Sequence, residues 1–493
     1  MSRNAFWPCS ELLYGCNGVS FTHAGGRAVI RRGRLAPVAL GLLAGCVHYQ
    51  PAPITIADRA AARLSVSLDP GRLATTLKQI APDAPTPRRL DRLALFAVIL
   101  DYDSRVAKAR AAIATAAAEA RASRHATGPT FTLTSEYAND PATRSPWLLG
   151  GAVDLPLDLG GRRRARLDRA DLDVAIARYD YAETLWSERM ALRHALIDGE
   201  IARRQVDLGS ATLALRDRQI AALERQAAAG QLATAALSPY RALRAQELRA
   251  LDDARARVVA ARSAIAGVLG MPVSAVVDAE FDWPDFDNPS LDPGVSISAA
   301  MRVQGITGRA DVLHALAAYD QTEADLRLEI AKQYPQISLG PGYTWERGLV
   351  KLPLAVNLAL PTFDLNRAAI RAALTRREEA GLAIEAAIAA AQAEIDAALV
   401  ERRAAMAALE RLRRSELPQT RAVADQAQAR LARGDIGRAD WADAQLAALA
   451  AQIGALDALA RVQAADAALE NGLRRPLEGP ETMIRPERLE AGQ

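Results

Sequence analysis

Val350-Lys351-Leu352-Pro353-Leu354-Ala355-Val356-Asn357-Leu358-Ala359-Leu360 alternates strictly. Val350, Leu352, Leu354, Val356, Leu358 and Leu360 stand against Lys351, Pro353, Ala355, Asn357 and Ala359. Period two over this length is a β-strand with one apolar face. Its length is that of a tilted membrane-crossing strand, about 9–11 residues. Pro353 costs the ladder a hydrogen bond and is expected at a bulge. Just upstream, Ile337 and Leu339 alternate with Gln336 and Ser338, and Trp345 to Gly348 reads as a turn. Residues 335–361 therefore form a hairpin.

The same grammar occurs about 205 residues earlier. Pro129 answers Pro335, Val106 answers Val312, Pro156 answers Pro361 and Gly230 answers Gly434, at offsets of 206, 206, 205 and 204. Four landmarks in order at one offset are an internal duplication. The first copy's hairpin, 129–157, alternates through Phe131 to Tyr137 and again through Leu149, Val153, Leu155 and Leu157. Its turn is Asn139-Asp140-Pro141. Four strands are too few to close a barrel, so their edges need partners from other subunits.

Each hairpin is framed by helices. One of moderate length precedes it, over 91–125 in the first repeat (91–270) and 295–333 in the second (295–473). A very long one comes after it, over 161–229 and 366–432. Leu185, Leu192, Val206, Leu213 and Ile220 keep multiples of seven, a coiled-coil period. Ile384, Ile388, Ile395, Leu399, Leu409 and Leu412 play that part in the second copy, where Pro418 should kink the helix. Gly230 and Gly434 stop the long helices in the left-handed conformation. Return helices then run over 234–269 and 436–473, capped by Thr234 or Ser238-Pro239 and by Asp435. A helical hairpin about 100 Å long has no globular core of its own and must pack on copies of itself.

Composition narrows the class. The formal net charge is +3 with 61 basic and 58 acidic residues, and only Lys78, Lys108, Lys332 and Lys351 of the bases are not arginine. So small an excess argues against a nucleic-acid binder. The five histidines are dispersed, and no phosphate loop, nucleophile elbow or metal spacing is present, so no enzyme, cofactor or metal site is expected. Asp278, Glu280, Asp282, Asp285, Asp287 and Asp292 lack the spacing of a calcium loop and read as a solvated acidic linker, 271–294. Arg162-Arg163-Arg164, between strand and long helix, reads as snorkelling at a membrane boundary.

The N-terminus reads as an address. Arg31, Arg32 and Arg34 precede a short apolar run, Leu35 to Ala44, which ends at Leu43-Ala44-Gly45-Cys46. Residues 1–45 are a leader and signal peptide, with Val29 an alternative start, and Cys46 sits where bacterial lipoproteins are acylated. Cys9 and Cys16 fall in the removed part, which leaves no disulfide framework.

Taken together, the duplicated hairpins, Leu155-Pro156-Leu157-Asp158-Leu159-Gly160-Gly161-Arg162, Leu360-Pro361-Thr362-Phe363-Asp364-Leu365-Asn366-Arg367, the turns at Gly230 and Gly434 and the tetrad at Cys46 resemble the TolC-type outer-membrane efflux proteins, most closely the lipid-anchored drug-efflux branch. The resemblance implies a mainly α fold with a small β part. Three chains would give a twelve-stranded transmembrane β-barrel and an α-barrel of helical hairpins. Residues 46–90 would lie near the equatorial region and 474–493 would be a tail. It implies a passive duct in the outer membrane, partnered by a periplasmic adaptor at the helix tips near Gly230, Gly434, Arg225 and Arg433, and by an inner-membrane pump. Asp440 and Asp443, three apart on one helix face, match acids that narrow the pore in that family; helix-start acids favoured by the macrodipole are the plainer reading. A lipid-anchored adaptor or a structural coiled coil is the alternative class.

Overall fold

The computed structural model describes residues 49–85, 89–125, 128–137, 145–158, 160–289, 297–346, 348–361, 363–485 and 489. Cys46, the leader and the Asn139-Asp140-Pro141 turn lie outside them. The chain divides into two units, Met1–Arg59 and Ala60–Gln493. In the first, residues 49–55 are irregular and α1 (Ile56–Leu64) begins. All later elements belong to the second.

The helix expected over 91–125 is two: α3 (Arg92–Tyr102) and α4 (Ser104–Ser123), after the shorter α2 (Pro70–Ile80). Asp103 divides them, with extended backbone and a carboxylate that accepts from the Arg105 amide at 2.6 Å, an N-cap. Every residue from Arg92 to Leu100 is buried, because Leu93 to Leu100 has no polar face to turn to water. The strands β1 (Thr130–Tyr137) and β2 (Trp147–Leu157) come next, then the long helix α5 (Arg162–Ala228) and its return, a 3-10 turn (Thr234–Leu237) leading into α6 (Ser238–Val268). In the second copy the helix expected over 295–333 is again two, α7 (Ala299–Thr307) and α8 (Ala310–Ala331), divided at Gly308-Arg309. Then come β3 (Gln336–Glu346), β4 (Leu349–Lys351), β5 (Leu354–Ala359), α9 (Arg367–Arg411), α10 (Leu417–Arg433) and α11 (Arg438–Leu473).

Pro418 does not end the long helix. A π-helical turn, Leu412–Glu416, joins α9 to α10 and places the proline at the start of α10, where its missing N–H is harmless. The Arg triplet also differs from expectation. Arg162 donates to the carbonyls of Ala331 and Tyr334 at 3.1 and 2.6 Å, and Arg163 to that of Arg124 at 2.9 Å. Two of the three thus satisfy carbonyls at or just past the ends of α8 and α4.

Helix α5 is the axis of this unit. Near the sheet it lies against α4 and α8; toward the tips it lies against α6 and α11. Gly209 faces Leu251 of α6, where a Cβ would sit in ordinary contact at 3.4 Å from Leu251 Cδ1. Two sides of α5 are buried in different clusters. Leu185, Leu192 and Leu196 join α2, α3 and α4 in the main core. Met190, Ile197 and Ile201 meet Leu409, Leu456, Leu459 and Val462 of α9 and α11. The core on α2–α4 is a globular element that the helical hairpins alone do not anticipate.

Candidate functional site

The sheet is built first from register. β1 pairs antiparallel with β2, β2 with β3, and β3 with β4 and then β5. Pairing aligns the apolar positions into one face: Leu133 opposite Gly151, Gly151 opposite Tyr343, Leu155 opposite Leu339, and Leu339 opposite Val356. That face is open; Leu133 and Leu352 are 75% and 77% exposed. The opposite face carries Thr130, Thr132, Thr134, Gln336 and Ser338, with Asn357 donating to Asp154 at 2.9 Å. No bulge accompanies Pro353. Thr344 pairs with Lys351 and Pro341 with Leu354, so the register is the same on either side of the proline. Gly342 lies opposite it, donates its amide to the Pro353 carbonyl at 2.8 Å, and makes room: a Cβ there would be 3.2 Å from Pro353 Cγ. The cost is one missing ladder bond and a break between β4 and β5.

β1 and the β4–β5 strand are the outer strands, each bonded to one neighbour only among the described residues. Open strand edges and a bare apolar face on the same sheet are both surfaces that call for a partner.

At the other end of α5 the two tips repeat one another. Gly230 and Gly434 have φ of +73° and +79°. Gly230 N donates to Ala227 O at 3.0 Å and Gln231 N to Gln226 O at 2.9 Å; Gly434 N donates to Leu431 O and Asp435 N to Arg430 O at the same distances. Both are Schellman turns, which only a residue tolerant of the left-handed region closes without strain. The caps of the return helices differ from expectation. Ser238 and Thr234 cap nothing, and Asp435 accepts from Arg433 at 3.0 Å. The second return helix is capped from within, by Asp440 Oδ2 accepting the Gly437 amide at 3.2 Å. Arg225 is exposed at the first tip and makes no ion pair among the described residues.

Asp440 and Asp443 do lie on neighbouring exposed positions of α11, but each has a local partner. Asp440 is the cap, and Asp443 accepts from Gln219 Nε2 at 2.5 Å. Gln219, fully buried, also bonds the Ala439 carbonyl and accepts from Arg216 at 2.6 Å, and Arg216 in turn forks onto Glu247. A polar relay therefore runs Glu247–Arg216–Gln219–Asp443 across α6, α5 and α11, tying the two hairpins together just above their tips.

A larger charge structure has no counterpart among the expected residues. Arg92, Arg189, Arg193, Glu470, Glu478 and Glu481 form a closed alternating ring: Arg92 meets Glu478 and Glu481 (4.0 and 3.3 Å), Arg189 meets Glu481 and Glu470 (3.1 and 2.7 Å), and Arg193 meets Glu470 and Glu478 (2.8 and 3.1 Å). All six are at most 9% exposed. Burial opposes ionisation of Glu470, yet Arg193 and Arg189 outweigh it and hold the carboxyl below its ordinary value. Trp283 lies against the Arg92 and Arg193 guanidinium groups, at 4.5 and 5.6 Å. The ring fixes the C-terminal segment onto α3, α5 and α11. It also shows that the acidic linker is not wholly solvated: Phe286 is fully buried, and its carbonyl accepts from Gln463 at 2.7 Å.

Among the described residues no helix is long and apolar enough to cross a membrane, and no group of three or more His, Cys, Asp or Glu could hold a metal. The pattern that defines the outer membrane efflux protein family matches residues 98–271 and again 304–473, one match per repeat. The cobalt-zinc-cadmium resistance protein CzcC of Cupriavidus metallidurans is 26% identical over 233 residues, which span 46% of this chain and 53% of that protein. The chain thus aligns with about half the length of that relative. A membrane protein from Pseudomonas aeruginosa superposes with a TM-score of 0.65 at 21% identity, over 82% of this chain and 99% of the other. The outer membrane protein VceC of Vibrio cholerae gives 0.64 at 18% identity, over 78% and 97%.

Proposed function

The chain belongs to the outer membrane efflux protein family, and from that membership we propose that it is the outer-membrane channel of a tripartite efflux system, a passive trimeric duct and not an enzyme. The observation that carries this reading is the sheet. Its apolar face is exposed, its other face is polar and small, and both edges are open. Three copies side by side close a twelve-stranded barrel with lipid outside and the Thr, Gln and Asp154–Asn357 face toward water. On the helices, Leu382, Val400 and Val423 of α9 and α10 are half or more exposed, apolar positions open to a neighbouring subunit.

Export is driven elsewhere, by an inner-membrane pump acting through a periplasmic adaptor that docks at the tips around Gly230, Gly434, Arg225 and Arg433. Acylated Cys46 holds the N-terminus at the outer membrane. Asp440 and Asp443 of three subunits ring the tip opening, held in place by the Gly437 cap and the Gln219 relay, and favour cations. Planar-bilayer recording tests the duct and its constriction together. The wild-type trimer should conduct with cation preference, and Asp440→Ala with Asp443→Ala should conduct more and lose that preference. A protein that forms no pore contradicts the duct; unchanged conductance and selectivity in the variant contradicts the constriction. CzcC is named for cobalt, zinc and cadmium resistance.

A further inference from the structure

A cavity of 760 Å³ lies between α4 and α5 on one side and the C-terminal segment 474–485 on the other. Its depth is apolar and buried, with Phe96, Ile113 and Leu185 in the wall, and Leu477 and Ile484 of the C-terminal segment close it from outside. The charge ring holds that segment in place through Glu478 and Glu481, so the apolar wall exists before any ligand arrives.

Most charged side chains around the cavity are already paired. Arg189 and Glu481 are consumed in the ring. Arg474 pairs with Glu183 at 2.7 Å and reaches Asp311 at 3.7 Å. The Tyr181 hydroxyl accepts from Arg110 at 3.4 Å. What remains is Arg178 and Arg475, both exposed and without an ion pair among the described residues. Glu481 is the one acid in the described lining, and it is committed. The cavity thus offers a buried apolar interior and two uncommitted positive charges at its solvent side, the pattern of a small-molecule site. At roughly 30 Å³ per water-sized group it holds about 25 non-hydrogen atoms, one long acyl chain with its head and not the two chains of a phospholipid.

We infer that this cavity binds a long-chain fatty-acid anion, its chain along Phe96, Ile113 and Leu185 and its carboxylate between Arg178 and Arg475. The inference does not depend on the duct reading, since the site lies within one subunit and away from the sheet. The test uses full-length protein in nanodiscs of zwitterionic phospholipid, with photoreactive palmitate and photoreactive hexadecanol of the same chain length as probes. Palmitate should label the peptides carrying Trp186 and Leu477, and the alcohol should do so about ten-fold less, because charge-assisted bonds to the head group are lost. Arg178→Ala with Arg475→Ala should reduce palmitate labelling by about ten-fold. Ala182→Trp, placed on an exposed lining position outside the ring, should abolish it by filling the cavity. Neither variant touches a buried residue, and unchanged thermal dissociation confirms their folding. Equal labelling by acid and alcohol, indifference to the arginine pair, or label confined to the strands would each overturn the inference.

Discussion

The two repeats place the same knot at the same point of the fold with the signs exchanged. In the first, Asp103 is the buried residue between α3 and α4, and Arg105, half exposed, spans from it to Glu188 of α5 at 2.9 and 2.5 Å. In the second, Arg309 is the buried residue between α7 and α8; it grips Asp311 at 2.6 Å, Glu394 of α9 at 2.8 Å and the Gly472 carbonyl at 2.9 Å. Asp103 and Arg309 are 206 residues apart, as are Arg105 and Asp311, and Glu188 and Glu394. The acid on the long helix is thus the same in both copies, and an arginine from either of two positions two residues apart can reach it. What the fold requires is a paired charge at the helix break; which residue supplies each sign is free. The copies differ in which sign is buried: Arg309 is 1% exposed over half-exposed acids, whereas Arg105 is 54% exposed over acids that are buried.

That difference fixes the order of effects. Arg105→Met should be the more damaging change: it leaves the buried Asp103 and Glu188 carboxylates without their base, a loss of about 3–5 kcal/mol, read as a lower trimer dissociation temperature on gels. Arg309→Met removes the buried charge itself; it leaves Asp311 and Glu394, 35% and 45% exposed, without that base and orphans the buried Gly472 carbonyl, a loss of about 1–3 kcal/mol. Converting the second knot to the sign order of the first, with Arg309→Asp and Asp311→Arg together, should recover most of the Arg309→Met loss. If the exchange is as harmful as the single change, the two knots are not equivalent.

Acid separates the knots in a second way. Burial opposes ionisation of Asp311, but Arg309 outweighs it and holds the carboxyl below its ordinary value. Its contribution is present at neutral pH and is lost as pH falls through that depressed value, so the deficit of Asp311→Asn should close only in strong acid. Glu188 is shifted the other way: burial raises it, and Arg105 only partly offsets this. Ionised Glu188 is therefore a burden at neutral pH that acid relieves. Glu188→Gln should match or exceed the wild type at pH 7, and the advantage should fade as pH falls through the raised value. Dissociation temperatures measured across pH for both variants check the opposite slopes.

Much of this architecture is legible in the sequence because it rests on local periodicity. Val350 to Leu360 alternates without a fault, and Gly230 and Gly434 mark turns that glycine closes best. The helix breaks at Asp103 and Arg309 are hidden, since an isolated charge in a helical stretch reads as a solvated face and only its partner on another helix shows otherwise. Pro353 suggests a bulge, and only the opposite residue, Gly342, shows how the ladder takes it without one. The charge ring joins residues up to 389 positions apart and has no local pattern at all. One signal for it lies in the sequence: Leu93 to Leu100 is apolar on every side, so Arg92 must enter a core and need partners there. Asp440 and Asp443 show the converse, because their spacing is legible while their cap and relay partners are not.

The central claim is that the open edges of β1 and β5 meet in a neighbouring subunit. Cysteine at Thr132, paired in turn with cysteine at Ala355, Asn357 or Ala359, tests it by oxidation in the native membrane, since a disulfide forms only where Cα atoms come within about 7 Å. At least one pair should give a covalent ladder that stops at three chains. No cross-link from any pair, or a ladder that runs past three, would contradict the account.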